Sequence, residues 1–296
     1  MPDVHPSADV SPESELANDC IVGPGCRLIG PVRIGAGVRL IGPCVIQGPV
    51  TIGAGTTIYP FASIGFPPQD YKFGPDDVTA GVEIGEGCLI RENVTIHAAS
   101  NDQTPTKIGD RVFMMVQSHA GHDVRVGNDV VIVNGSVLGG HATVGDRANI
   151  SGLVAIHQFV RVGRLAMVSG GTAHSMDIPP FCMAAERNRI VGLNLVGLRR
   201  SGVPRDEIAA LREAFKAALY KNLSREEQLG VLGEMRDRSP LIAELHEFVA
   251  TAKRSISAGP MRPPRAAAWI RGAVKDGIAF DKLGIEGDVE DEVDLT

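Results

Sequence analysis

Aliphatic residues recur at every sixth position through the first part of the chain. The series runs unbroken from Val4 to Ile64. Its members are Val4, Val10, Leu16, Val22, Leu28, Ile34, Leu40, Ile46, Ile52, Ile58 and Ile64. An amphipathic helix repeats every 3.6 residues and a half-buried strand every two, whereas a parallel β-helix of hexapeptide repeats has a period of six. The pattern therefore predicts a mainly β chain coiled as a parallel β-helix.

A second position in each hexad, four residues after the aliphatic one, holds small residues. Cys20, Cys26 and Cys44 occupy it, and Cys88 has the same offset from Ile84. Cys26 and Cys44 are three hexads apart, which would stack them in successive three-sided coils. An odd total of five cysteines without a CxxC motif is a poor framework for disulfides or zinc. We expect these thiols to pack inside the β-helix.

Two segments interrupt the repeat, at residues 66–81 and 98–107. The first is too long for a corner, and long loops in compact domains are often functional. The sixes resume over 84–96 and again over 108–168. In the later series Ala120 is smaller than the other aliphatic residues at the sixth positions. A small residue there indicates that this part of the β-helix wall is adapted for something besides packing.

The repeat stops at Asp177-Ile178-Pro179-Pro180, and helical patterns follow. Helices are predicted over about 192–200, from Pro204 to about Tyr220, from a capping box at Ser224-Arg225-Glu226-Glu227, and from Pro240 to about Ser255. Such helices would close the end of the β-helix, because stacked repeats need a terminal cap.

The patterns divide the chain into three parts. We expect a β-helix domain over 1–188, a helical domain over 189–256, and an extension over 257–296. The extension begins with a linker and ends in an acidic tail at 286–294, which we expect to be disordered.

Composition and charge exclude some classes of function. Aromatic residues are 4% of the chain, beside 35 glycines and 19 prolines, and this balance favours thin stacked layers. The net charge of −6 argues against generic nucleic-acid binding, which needs clustered positive charge. The start of the chain has no signal-peptide pattern, and no run approaches the roughly 20 apolar residues of a membrane span. We expect a cytoplasmic protein.

The spacing of the repeat places a histidine beside the backbone N–H of a glycine. His122 takes the third place of its hexad, and Gly140 takes the third place three hexads later, so the two lie in adjacent coils. An imidazole base can remove a hydroxyl or amine proton, and a nearby N–H can stabilise the oxyanion of an acyl carbonyl. Asp123 follows His122 and could orient it. These residues predict acyl transfer.

Other uses of the histidines remain open. His119, His122 and His141 could hold zinc, as in β-helical carbonic anhydrases, although those sites keep a different spacing. The histidines could also be solvated groups on an inert scaffold.

Several motifs in fixed order resemble the UDP-N-acetylglucosamine O-acyltransferases that begin lipid A biosynthesis. The motifs are Gln69-Asp70-Tyr71-Lys72, Ile90-Arg91-Glu92-Asn93-Val94-Thr95-Ile96-His97, His119-Ala120-Gly121-His122-Asp123, Gly139-Gly140-His141, Ala155-Ile156-His157-Gln158-Phe159, Asp177-Ile178-Pro179-Pro180 and Asn194-Leu195-Val196-Gly197-Leu198-Arg199-Arg200. The resemblance covers residues 1 to about 256. It implies a left-handed β-helix, assembled as a homotrimer with active sites between subunits.

The same resemblance implies an activity and its site residues. Such enzymes move a 3-hydroxyacyl chain from acyl carrier protein to the sugar 3-hydroxyl of a UDP-amino sugar, and no cofactor or metal is expected. By motif, His122 is implied as general base, Asp123 as its partner and Gly140 as oxyanion donor. The implied lining and binding residues are Asp70, Lys72, His97, His119, His141, His157, Gln158, Gly170, Asn194 and Arg200. Gly170 matches a position that limits acyl length, so an open groove and a long chain are expected.

Departures from the family pattern concern the acceptor. Val196 stands where a glutamate commonly contacts the nucleotide sugar, Ser201 replaces a second basic residue, and Gly121 is small where a larger residue is common. A diamino UDP-sugar or another UDP-hexosamine therefore remains open. The N-acyltransferase of the same pathway shares the β-helix but carries a uridine-binding domain before it, and here the sixes begin at Val4.

Overall fold

The chain coils through three parallel sheets, and each hexad contributes one short strand and one corner. The structure is a computed structural model that describes residues 1–220 and 223–259. Successive strands enter the first, second and third sheet in turn. We call the turns after these sheets the first, second and third corner. Wall residues stack on wall residues, as Leu138 does on Ile156. The predicted fold class, a β-helix of hexapeptide repeats followed by helices, is confirmed.

The strands are short and evenly distributed among the sheets. In the described part of the chain, the first sheet contains Asp3–Val4, Ile21–Val22, Arg39–Leu40, Thr57–Ile58, Leu89–Ile90, Phe113–Met114, Val131–Ile132, Asn149–Ile150, Met167–Val168, Cys182–Ala185 and Arg189–Leu193. The second contains Asp9–Val10, Arg27–Ile29, Val45–Gln47, Ser63–Ile64, Thr95–Ile96, His119–Ala120, Val137–Leu138, Ala155–Ile156 and Ala173–His174. The third contains Glu15–Leu16, Val32–Ile34, Val50–Ile52, Val82–Ile84, Thr106–Ile108, Arg125–Val126, Thr143–Val144 and Arg161–Val162.

Both interruptions of the repeat leave the β-helix at the second corner. The stacking continues past them, because Ile64 pairs with Ile96 and Ile84 pairs with Ile108. The two loops also touch each other. The Ala98 N–H donates to the Phe66 carbonyl at 2.9 Å, and the Ala99 N–H donates to the Gly81 carbonyl at 3.1 Å. The second corner is therefore the one corner that two long loops cover together.

The interior is filled by the aliphatic residues of every sixth position, which form the inner wall, and by the small residues four positions after them. Ile46, Ile58 and Ile90 have no exposed surface, and burying such a side chain stabilises the fold by about 1.5–3 kcal/mol. All five cysteines are free and buried, and the four at the small hexad position lie inside the β-helix as predicted. The Sγ atoms of Cys26 and Cys44 lie 3.7 Å apart in adjacent coils. Ala120 is also fully buried in the wall.

A ladder of side chains fixes the spacing of the coils at the third corner. Asp110 accepts from the Glu86 N–H at 2.9 Å, Asn128 accepts from the Asp110 N–H at 2.8 Å, and Asp146 accepts from the Asn128 N–H at 2.7 Å. Each side chain thus satisfies a turn N–H of the neighbouring coil, which would otherwise lack a partner. The ladder holds this corner in the same register as the sheets.

The β-helix continues beyond the point where the sequence pattern ends. Ile178 still bridges Val162, and Met183 pairs with Met167 in the first sheet. The chain then reverses, and Arg189–Leu193 pairs antiparallel with Cys182–Ala185. The six-residue repeat ends at residues 177–180 as expected, but the coil itself continues for one more wrap. The residues of this last wrap no longer keep the six-residue spacing, so the pattern does not reveal them.

Within the described residues, four α-helices follow: α1 Leu195–Arg200, α2 Arg205–Leu219, α3 Arg225–Met235 and α4 Pro240–Ala250, with a 3-10 turn Arg236–Arg238 before α4. The capping box at Ser224 is confirmed, with its hydroxyl and the Glu227 carboxylate each accepting the other's backbone N–H. Two predicted limits are wrong. Residues 192 and 193 belong to the preceding strand, and the last helix ends before Thr251 rather than at Ser255.

Two arginines of the last coils join α4 to the β-helix. Arg161 donates to the buried Asp177 carboxylate at 2.9 Å, and its second terminal nitrogen donates to the Phe248 carbonyl at 2.7 Å. Arg164 donates to Glu244 at 2.7 Å. After α4 the chain returns to the β-helix, where Ile256 bridges Asp177.

The proposed domain limits coincide with features of this end of the molecule. The limit at 188/189 lies at the turn of the final hairpin, and the limit at 256/257 lies where the chain bridges back to the coil. The three-part division stays a prediction. The acidic tail at 286–294 and the rest of the extension from residue 260 lie outside the described residues. Among the residues described, no helix has the length and apolarity needed to cross a membrane.

Candidate active site

The histidines gather at the second corner because equivalent hexad positions stack. His122 and Asp123 follow the strand His119–Ala120, and Gly140 and His141 follow the next strand of the same sheet. The sequence-predicted residues at this corner are Asp70, Lys72, His97, His122, Asp123, Gly140, His141, His157 and Gln158, and His119 lies in the strand that leads into it. Most of the candidate set therefore lies along one edge of the β-helix.

Asp123 is the centre of the hydrogen-bond network at this corner. Its Oδ2 lies 2.7 Å from Nδ1 of His122. Its Oδ1 accepts from the side-chain amide of Asn101 at 2.9 Å, and the carboxylate also accepts from the Ser100 N–H at 3.1 Å. Asp123 itself has φ 60°, and its N–H donates to the Thr106 hydroxyl at 2.8 Å. The carboxylate is thus held from both sides.

These contacts decide the ionisation of Asp123 and the tautomer of His122. Burial acts to raise the pKa of Asp123, but the hydrogen bonds from His122 and Ser100 outweigh burial and lower this pKa below its usual value. The carboxylate is then an acceptor only, so the proton between the two side chains belongs to Nδ1 of His122. In the neutral ring, Nε2 carries the free lone pair.

Gly140 lies directly against that free nitrogen. A Cβ atom built on Gly140 would be 2.5 Å from Nε2 of His122, so only glycine leaves room for the ring. Among residues 1–220 and 223–259, no acceptor takes the Gly140 N–H. Gly121 in the coil before also lacks a side chain, and a Cβ there would lie 3.0 Å from the Gly140 nitrogen. The predicted proximity of His122 and Gly140 is found.

His141 shares the same carboxylate. Its Nε2 lies 3.5 Å from Oδ2 of Asp123, and its ring stacks on Phe159 with centroids 4.5 Å apart and planes 6° apart. The ligand-type atoms of His122, Asp123 and His141 all lie within 4.8 Å of one another. In the described part of the chain this is the one cluster that could hold a metal ion.

His119 belongs to a second pair with His97 rather than to that cluster. Its Nδ1 lies 2.7 Å from the Thr95 hydroxyl, and its ring centroid is 5.4 Å from that of His97. Burial, with a smaller effect of His97, lowers the pKa of His119 to about 4, so this ring is neutral at pH 7. His97 donates from Nδ1 to the Pro67 carbonyl at 2.6 Å, which ties the ring to the first long loop.

The remaining residues at the second corner are exposed. Asp70 and Lys72 lie in the 66–81 loop, where the Lys72 N–H donates to Asp70 at 3.1 Å. His157 and Gln158 follow one coil after Gly140, and the His157 ring lies 3.1 Å from the Gln158 carbonyl. All four side chains are open to a substrate.

Three candidate residues lie away from the second corner. Gly170 is an exposed residue of the first corner. Asn194 caps α1: its Oδ1 accepts from the Gly197 N–H at 2.8 Å, and its Nδ2 donates to the Leu165 carbonyl at 2.9 Å. Arg200 is exposed in the last turn of α1. The cap occupies both polar atoms of Asn194, so it positions the helix that carries Arg200.

Three residues that hold Asp123 were absent from the predicted set: Ser100, Asn101 and Thr106. They belong to the second loop or its end, which interrupts the repeat, so the six-residue count does not place them. A signal was available, since the loop is polar and directly precedes the coil that carries the histidines.

Comparison with known proteins gives consistent relatives. Residues 177–257 match a family model described as "Udp N-acetylglucosamine O-acyltransferase; Domain 2". An acyl-[acyl-carrier-protein]–UDP-N-acetylglucosamine O-acyltransferase of Thermodesulfovibrio yellowstonii is 42% identical over 258 residues, covering 86% of this chain and 99% of the relative. The enzyme of the same name from Synechocystis is 38% identical over 190 residues, covering 64% and 68%.

Solved structures agree with the sequence relatives. A UDP-N-acetylglucosamine O-acyltransferase from Moraxella catarrhalis superposes with a TM-score of 0.82 at 35% identity and covers 86% of this chain and 99% of that one. A structure from Acinetobacter baumannii has a TM-score of 0.82 at 32% identity and covers 86% and 98%.

Proposed function

The chain belongs to the acyl-[acyl-carrier-protein]–UDP-N-acetylglucosamine O-acyltransferases, and from this premise we propose which residues perform the transfer. The proposed reaction moves a 3-hydroxyacyl chain from acyl carrier protein to the 3-hydroxyl of UDP-N-acetylglucosamine. It is the first step of lipid A biosynthesis. The observation that carries the proposal is the pairing of the free Nε2 of His122 with the uncovered N–H of Gly140.

His122 is the proposed general base. With its Nδ1–H donated to Asp123, its Nε2 accepts the proton of the sugar hydroxyl while that oxygen attacks the thioester carbonyl. The carbonyl oxygen becomes an oxyanion, which the Gly140 N–H stabilises. When the C–S bond breaks, the His122 imidazolium returns its proton to the leaving thiolate. Asp123 stabilises that imidazolium and keeps the ring in the required tautomer.

The other second-corner residues are proposed to bind the sugar and the acyl group. His119 is neutral at pH 7, so it adds no positive charge beside the base, and His97 is held by its hydrogen bond to the Pro67 carbonyl. His141, His157 and Gln158 continue the same edge toward the later coils. Asp70 and Lys72 offer a carboxylate and an ammonium from the long loop.

A homotrimer with sites between subunits is supported by the split of the candidate residues. The base lies at the second corner, whereas Gly170 lies at the first corner and Arg200 lies on α1. Residues on different edges of one β-helix can share a site when copies pack side by side. We propose that one subunit supplies His122 and a neighbour supplies Gly170, Asn194 and Arg200.

The proposed donor carries a long acyl chain. Gly170 is exposed, and even a Cβ atom there would approach the Gly152 carbonyl at 3.1 Å, so the absence of a side chain keeps this corner open. Transfer restricted to short acyl groups would contradict this assignment. The acceptor named by the relatives is UDP-N-acetylglucosamine. Val196, one of the three departures noted from the sequence, is 55% exposed.

The test is direct acyl transfer by the purified protein. Acyl carrier protein loaded with 3-hydroxyacyl chains of several lengths is the donor, and UDP-N-acetylglucosamine and other UDP-amino sugars are the acceptors. We expect His122→Ala to lower kcat by about 100- to 10,000-fold, because the general base is lost. His5→Ala, at an exposed residue remote from the second corner in the sequence, is the control. A His122→Ala protein with unchanged turnover would rule out the proposed base.

A further inference from the structure

We propose that His122, Asp123 and His141 also form a binding site for one zinc ion, and that zinc bound there inhibits the enzyme. The three side chains offer two imidazole nitrogens and a carboxylate oxygen within 4.8 Å of one another. Zinc commonly binds three protein ligands of these kinds and keeps a fourth position for water. Ligand atoms about 2 Å from a shared ion lie about 3.3 Å apart in a tetrahedral site. Oδ2 of Asp123 lies 2.7 Å from Nδ1 of His122 and 3.5 Å from Nε2 of His141.

The ligands are oriented before any ion arrives. Asn101 and Ser100 bind the Asp123 carboxylate from the loop side, while Oδ2 is turned toward both imidazoles. His141 is fixed by its stack on Phe159. Partners of this kind orient metal ligands and raise metal affinity. A preorganised site loses less conformational freedom when it binds an ion.

The charge of the cluster also suits a cation. No lysine or arginine in the described part of the chain forms a salt bridge with Asp123, whose ion-pair partners are the two imidazoles. A cation would therefore not have to displace a fixed positive charge. The Asp123 side chain is only 8% exposed, so its attraction for an ion is weakly screened by water.

Inhibition follows from the tautomer that zinc would impose, and this step rests on the proposed function. Zinc on Nδ1 of His122 needs the lone pair that carries the proton in the catalytic tautomer. The neutral ring then holds its proton on Nε2, the atom beside Gly140. That nitrogen can no longer accept the proton of the sugar hydroxyl. Zinc would also occupy the carboxylate that stabilises the imidazolium.

The zinc ligands in this site are not the three histidines that the sequence suggested. His119 is turned toward Thr95 and His97, and Asp123 takes its place in the cluster. The site would be inhibitory, because one of its ligands is the proposed catalytic base.

The test measures binding and turnover separately. Zinc chloride is titrated calorimetrically into the full-length protein, and acyl transfer is measured with added zinc and after EDTA. We expect one ion per chain and recovery of activity with EDTA. At saturation we expect a loss of about 99% of the activity, the effect of removing a base worth about 100-fold. Cobalt spectroscopy checks the coordination in a folded sample.

Matched variants locate the ion. Asp123→Asn and His141→Phe should each abolish stoichiometric binding, whereas His5→Ala should retain it. Circular dichroism confirms that the variants are folded, and Asp123→Asn keeps the shape of the side chain. Stoichiometric binding that persists in either variant, or saturation without inhibition of the wild-type enzyme, would overturn the proposal. Because calorimetry needs no turnover, an inactive wild-type protein that still binds zinc would contradict the proposed function and leave the site standing.

Discussion

Asp123 occupies a backbone conformation that few side chains adopt. Its φ of 60° places it in the left-handed region, where Asp and Asn are enriched among non-glycine residues. Its N–H is satisfied by Thr106, and its carboxylate by Ser100 and Asn101. The residue that orients the proposed base is therefore itself oriented by one loop.

Asn101→Ala should slow acyl transfer without removing any group that touches the substrate. The variant loses a 2.9 Å hydrogen bond to Asp123, and a bond to a charged group contributes about 1.5–3 kcal/mol. We expect kcat to fall by roughly 10- to 100-fold, with a smaller change in KM.

The Asn101 effect can be separated from a general structural effect. In an Asp123→Asn background, Asn101→Ala should cost little more activity, because residues that act as a unit are not additive. Gln103→Ala in the same loop is the control, since that side chain is exposed. Equal losses in both backgrounds would show that Asn101 does not act through Asp123.

Buried histidines should make the protein less stable in acid. Burial lowers the pKa of His174 to about 4, and the pKa of His119 is about 4 as well, against an ordinary value of 6.5. Between these values the unfolded chain binds protons that the folded chain does not, so the free energy of unfolding falls as pH decreases from 6.5 toward 4. Each histidine can contribute a slope of up to about 1.4 kcal/mol per pH unit.

His174→Ile tests this dependence without disturbing the wall. His174 is 1% exposed and stacks on Ile156, so isoleucine continues an aliphatic series. Urea unfolding should show a shallower decline in the free energy of unfolding between pH 6.5 and about 4. His5→Ile should keep the wild-type slope. An unchanged slope in His174→Ile would mean that this imidazole is not held neutral.

At the residue scale, the sequence predicts the parts of the site that obey the repeat. His122 and Gly140 could be paired because three hexads return the chain to the same corner. Asn101 could not be placed in the site from the sequence, because its loop leaves the coil and its position depends on contacts that no repeat encodes. The role of Asn194 in nucleotide binding stays a prediction, and its amide also caps α1, a role that the sequence pattern did not reveal.

The corners are the elements that hold the coils in register, and glycine is required where a neighbouring side chain fills the turn. A Cβ on Gly127 would lie 2.8 Å from the Asp146 nitrogen and would also meet the Asp146 carboxylate oxygen. That oxygen accepts the Asn128 N–H, so the two coils cannot separate without losing this bond.

Gly127→Ala should therefore destabilise the β-helix by about 1–3 kcal/mol, the usual cost of overpacking. Gly230→Ala is the matched control: Gly230 lies in α3 with nothing within 4 Å of its Cβ position, and alanine should raise the free energy of unfolding by about 0.5–1 kcal/mol. Denaturant unfolding measures both. A Gly127→Ala protein as stable as wild type would mean that the corner relaxes more easily than the distances indicate.

The elements that the sequence did not predict are those defined by long-range contacts. The strand Arg189–Leu193 forms by antiparallel pairing, and the segment after α4 is extended because Ile256 bridges Asp177. Neither depends on a local period. The coils and the Ser224 capping box, by contrast, are local patterns, and both were predicted correctly.

For the whole molecule, the arrangement of candidate residues is the main constraint on assembly. His122 and Asp123 lie at the second corner, Gly170 lies at the first corner, and Arg200 lies on α1. A β-helix is rigid, so these groups cannot be brought together by bending one chain. Either the second-corner residues and the pair Gly170 and Arg200 have different functions, or a neighbouring subunit supplies one of these two groups to a shared site.

Mixed trimers distinguish these two cases. His122→Ala and Arg200→Ala chains, each impaired alone, are co-expressed with different tags, and assemblies that carry both tags are isolated. If sites form between subunits in a ring of three, every mixed trimer has one site with both residues intact, so about a third of the wild-type sites should be active.

The control is co-expression of His122→Ala chains with Asp123→Asn chains. Both residues lie at the second corner of the same chain, so no site in such a mixed trimer has both residues intact. Mixed assemblies no more active than their parents, or equal recovery in the control, would contradict the shared site. Recovery confined to the first pair would assign the base and Arg200 to different subunits.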